Sequence, residues 1–151
     1  MKRTTIGYLV LLLVWLAACG GAREPASVRG QDVPGSPGPG LAVERFLQAA
    51  NTNDLVTMMQ LFGTAERTID QLDGRSQAER RMYVLASLQR HDDYSILGQR
   101  PVPGRLNEAV EVQVRLHRRD DSVVVPYTVV RRESGGWIIE KVDVEPLTKA
   151  R

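Results

Sequence analysis

The chain has 151 residues, 42% hydrophobic and 25% charged, which is one domain's worth of material and too polar for a multi-span membrane protein. Lys2 and Arg3 account for the formal net charge of +2, so the remainder balances to zero and gives nucleic acid no basic footprint. One cysteine excludes a disulfide framework and any Cys-rich metal site.

Met1-Lys2-Arg3-Thr4-Thr5 is a basic leader, followed by an apolar stretch from Ile6 to Leu16 and closed by Leu16-Ala17-Ala18-Cys19. Basic, apolar and small residues in that order make a secretory signal peptide. Counted to Ala18 the apolar segment is 13 residues. As a helix it reaches about 20 Å, short of the roughly 30 Å hydrocarbon core of a bilayer. Leu16-Ala17-Ala18-Cys19 resembles the lipobox of bacterial lipoproteins. That resemblance implies cleavage before Cys19, diacylglycerol on its thiol and acylation, typically by palmitate, of the new amino group. Two or more acyl chains give stable anchoring where one is marginal. Gly20 rather than Asp follows the cysteine, and resemblance to the sorted lipoproteins of double-membrane bacteria then implies the outer membrane, facing the periplasm.

Residues 20–40 hold six Gly and four Pro, ending in Pro34-Gly35-Ser36-Pro37-Gly38-Pro39-Gly40. With no apolar periodicity they predict a flexible tether of about 25 Å end to end. The expected organisation is a signal peptide over 1–18, lipidated Cys19 and tether over 19–40, a domain over 41–147 and a tail over 148–151.

Within the domain, Val43, Phe46, Leu47 and Ala50 fall at helical spacing. Asn51-Thr52-Asn53-Asp54 breaks that helix and caps the next, which carries Leu55, Met58, Met59, Leu61 and Phe62 and stops at Gly63. The two methionines read as adaptable core filler. Residues 64–74 are ambiguous. Ser76-Gln77-Ala78-Glu79 reads as a capping box opening a third helix to His91, with Ala78, Met82, Leu85 and Ala86 as its apolar positions. From Tyr94 the period becomes two. Strands are expected at Tyr94–Gln99, Val110–His117, Val123–Arg132 and Trp137–Glu145, joined by short turns into an antiparallel meander. The fold class is α+β, with about three helices on a curved sheet of about four strands. Valines at 123–125 and 129–130 put apolar groups on both faces of the third strand, which demands a covering layer or a second subunit. Val123, Val125, Val129 and Trp137 are the candidate interface. Pro126 lacks an amide donor and predicts a bulge or an unpaired edge.

Val43-Glu44-Arg45-Phe46-Leu47-Gln48-Ala49, Asn53-Asp54-Leu55, helices before the sheet and Gly135-Gly136-Trp137-Ile138-Ile139 entering the last strand resemble the nuclear transport factor two/ketosteroid isomerase superfamily. The resemblance implies a sheet wrapped around helices as a cone with an internal pocket, and pairing into homodimers through the sheet. Superfamily members include enzymes and binding domains, so fold alone does not decide between them.

The chemistry-bearing residues are few. His91 and His117 are the only histidines and form no metal-ligand spacing. No phosphate loop or nucleophile elbow occurs, and no cofactor is called for. Arg80-Arg81, Arg118-Arg119 and Arg131-Arg132 each adjoin acidic residues, as solvated faces do. An acid–base pocket would need Asp70 as base and Tyr83, Tyr94 or Tyr127 as donor. The favoured reading is a lipid-anchored, non-catalytic domain that binds a small apolar ligand or an envelope protein; a small acid–base enzyme acting on a hydrophobic substrate is the alternative.

Overall fold

The computed structural model describes residues 35–149; the expected signal peptide, Cys19 and most of the expected tether lie outside them. The described elements are helices α1 (Pro39–Thr52), α2 (Leu55–Gln60), α3 (Ile69–Asp73) and α4 (Arg75–Leu88), strands β1 (Asp93–Pro101), β2 (Ala109–Arg118), β3 (Asp121–Arg131) and β4 (Trp137–Val142), and helix α5 (Glu145–Lys149). The class is α+β, with one antiparallel sheet in the order β1-β2-β3-β4. The described residues belong to one compact unit, which holds the core and all the sheet partners.

Pro39 sits in the first turn of α1, where its fixed φ suits a helix start and no amide donor is missed. The helix ends at Asn53, which takes a left-handed conformation (φ 55°). Asp54 then caps α2, accepting the Thr57 amide at 3.0 Å and the Thr57 hydroxyl at 2.6 Å. The capping box expected at Ser76 forms elsewhere. Thr68 opens α3, its amide donating to Gln71 Oε1 at 3.1 Å, while α4 starts from Gly74 without a side-chain cap. Both α3 and α5 are five residues long, too short to show a periodicity.

The inner sheet face presents Val112, Val114 and Leu116 from β2 and Val123, Val125, Tyr127 and Val129 from β3. These pack with Phe46, Leu47, Met58 and Met82 from the helices into one core, where both Met58 and Met82 are fully buried. The interface expected at Val123, Val125 and Val129 is therefore corrected: they alternate with Val124, Pro126 and Thr128 and point at the helices, not at a partner. Val130 faces the other way and is covered within the chain. It forms a satellite cluster with Ala109, Ile138 and Val102, the last from the β1–β2 connection.

Pro126 pairs with Gln113 without a bulge. Its carbonyl accepts the Asp143 amide at 2.9 Å on the β4 side, so its nitrogen faces that side, beyond the residues of β3 that pair with β4. The bulges fall instead between Ile96 and Gly98 on β1 and opposite Thr128 and Val129 on β3.

Helix α2 stops at Gln60 instead of running to Gly63, α4 stops at Leu88 instead of His91, and three further boundaries move. The tether expected through residue 40 gives way earlier, because Ser36 exchanges backbone hydrogen bonds of 2.9 and 2.7 Å with Trp137, and Pro39 and Gly40 are already helical. The last strand stops at Val142 instead of Glu145. The beginning of the expected tail belongs to α5, which buries Leu147.

Candidate functional site

Helix α4 packs on α1, α2 and α3 and stands off the C-terminal part of β4, beyond the bridge that Phe62 makes with Ile139. Between them lies an open groove of about 700 Å³. Phe62, Leu85, Leu88, Val142 and Val144 supply its apolar lining, and Val84, 55% exposed, stands at its side. A concave, mainly aliphatic site of this size is what small-molecule binding requires. A smaller hollow against Leu55, Tyr83 and Val84 adjoins it on the same helix, sharing Arg80 and Val84.

Charged groups stand at the rim: Arg80, Arg81, Glu140 and Lys141. Glu140 is held by a two-pronged ion pair with Arg105, at 2.6 and 3.2 Å. Arg81 pairs with Asp73. Arg80 donates to the neutral Ser76 hydroxyl at 2.8 Å, and Lys141 has no ion pair among the described residues.

The groove is fixed by what lies at the C-terminal end of α4. Gln89 there is fully buried and accepts the Tyr127 hydroxyl at 2.5 Å through Oε1, while its Nε2 donates to the Leu85 carbonyl at 3.2 Å. Burial pushes the Tyr127 phenol far above its ordinary pKa, so it serves as a neutral donor. Arg118 donates to the Leu88 carbonyl at 2.6 Å. Together they tie the end of α4 to β2 and β3.

The candidates for acid–base chemistry each have separate partners. Asp70 is exposed in the first turn of α3, where its carboxylate accepts the Thr68 hydroxyl at 2.5 Å. Tyr83 is 59% exposed on α4. Tyr94 packs edge-on against His91 with ring centroids 5.6 Å apart. Tyr127 is committed to Gln89. Asp70 has a local partner and none of the three tyrosines bonds to it, so no acid–base pair is assembled at this constellation.

Both histidines have structural partners. His91 Nδ1 lies 2.8 Å from the Gln89 carbonyl, which can only accept, so that nitrogen carries the proton and Nε2 accepts from Asn51 at 3.2 Å. His117 Nε2 is 3.3 Å from the Ser95 hydroxyl on the outer sheet face. Among the described residues no group of three or more His, Cys, Asp or Glu side chains could hold a metal ion, and no helix is long and apolar enough to cross a membrane. Trp137, the fourth candidate interface residue, is half-buried against the core beside Ser36.

Periodicity alone does not disclose the groove, although a signal is present. Tyr83 and Val84 fall outside the Ala78, Met82, Leu85 and Ala86 stripe, leaving surplus apolar groups on α4 next to Arg80-Arg81. No family model, curated protein or solved structure gives a significant match to the chain.

Proposed function

We propose that this protein is an exported cell-envelope lipoprotein, anchored through Cys19 to the outer membrane facing the periplasm, whose domain binds a small apolar ligand without catalysis. The leader, apolar stretch and Leu16-Ala17-Ala18-Cys19 support the anchor. The observation that carries the binding reading is the aliphatic groove between α4 and β4. Helices preceding a four-stranded antiparallel sheet are also the order of the cone-forming superfamily that the chain resembles.

Native mass spectrometry on residues 31–151 tests the binding role. A retained small molecule is expected, lost on denaturation and absent from the Val84→Asp variant, whose substituted side chain is exposed enough to leave the fold intact. A bare chain, with V84D equal to the parent in uptake of an apolar fluorescent dye, overturns the reading.

A further inference from the structure

We infer that the ligand of the α4–β4 groove is an acyl chain ending in a carboxylate, held at that end by Arg80 and Lys141; this rests on the binding role proposed above. The lining chooses the body. Val84, Leu85, Leu88, Val142 and Val144 are aliphatic, and the one aromatic, Phe62, is only 6% exposed, so a flexible hydrocarbon finds contact all along while a stacked ring finds no partner face. A peptide backbone would need donors and acceptors along its length, whereas Gln77 is the one uncharged polar side chain of the lining and the charged ones stand at the rim.

The rim chooses the head. Once Glu140 is matched by Arg105 and Arg81 by Asp73, two cations are left at the groove without a carboxylate partner among the described residues. Both are exposed, so their stems can lie along apolar surface while their heads meet an anion at the mouth. A neutral chain would gain nothing from those two charges, which water then solvates.

The test titrates residues 31–151 with decanoate and with decanol, the same hydrocarbon with and without the charge. Decanoate is expected to bind about tenfold more tightly at low salt, the size of two exposed ion pairs, and to lose that advantage as salt is raised. In the Arg80→Gln/Lys141→Gln double variant, decanoate should weaken to the level of decanol while decanol is unchanged. Equal affinity of the two ligands for the parent protein overturns the carboxylate assignment and leaves the groove as an apolar site. Failure of both to bind, with the amide spectrum of the fold intact, overturns the groove itself as the binding site.

Discussion

The Tyr127 hydroxyl and the Gln89 carboxamide meet at 2.5 Å, both side chains fully buried, and close the distance between the end of α4 and the middle of the sheet. Tyr127→Phe keeps the ring but leaves the Gln89 oxygen without its donor. A loss of about 1–3 kcal/mol is expected in denaturant unfolding, the cost of an unsatisfied buried acceptor. Combining Tyr127→Phe with Gln89→Leu should recover part of it, because both polar partners are then gone. Additive losses in that cycle would show that the two side chains are not coupled.

Gly63 lies where no side chain fits. A Cβ there would stand 2.2 Å from the Arg67 carbonyl oxygen and 2.8 Å from the Thr68 Cα, both backbone atoms that cannot swing aside. Gly63 also donates to the Ile139 carbonyl at 2.9 Å, so a displacement would pull the α2–α3 connection off β4. Gly63→Ala is expected to cost on the order of 3 kcal/mol in thermal or chemical unfolding, whereas Gly98→Ala, in open space, should be within about 1 kcal/mol of the parent.

Asp54 makes the cap of α2 sensitive to acid. The Thr57 side-chain hydrogen bond, followed by the Thr57 amide, holds its carboxyl below the ordinary carboxylate value. A depressed native pKa means the stabilisation is complete above about pH 4 and is lost as pH falls through the lowered value. Asp54→Ala is expected to cost about 1 kcal/mol at pH 7. Asp54→Asn should retain most of the cap and flatten this part of the acid limb, and unfolding curves from acid to neutral pH check both.

Cys19→Ala tests the anchor separately from the domain. Radiolabelled palmitate is expected on the wild-type chain and absent from the variant, and the variant should keep its apolar leader uncleaved. Equal labelling of the two chains would assign the lipid to another residue.

Much of the fold is legible in the sequence because it rests on local chemistry. Val43, Phe46 and Leu47 announce α1, Asn53-Asp54 marks the break, and the change of period at Tyr94 locates the sheet. Gly135 and Gly136, both at positive φ, turn the chain into β4 as their sequence implies. The short helices are not legible, since five residues complete little more than one turn. Ser76 imitates a cap because the pattern Ser-x-x-Glu is local, whereas the preceding Thr68–Asp73 turn decides where α4 begins. The groove is hidden for a different reason. It depends on the spacing between α4 and the C-terminal part of β4, elements separated by the rest of the sheet, and no short pattern records that spacing.

The pairing of Ser36 with Trp137 ties the chain to the sheet at Ser36, which sets the length of leash that the proposed anchor at Cys19 would leave. From Cys19 to Ser36 is 17 peptide steps, about 60 Å at full extension. With lipid on Cys19, that length is an upper bound on how far the attachment point can rise from the membrane surface. Ser36 pairs at the beginning of β4 and the groove lies toward the other end of that strand, so under the proposed anchoring the groove would be held within reach of the bilayer surface.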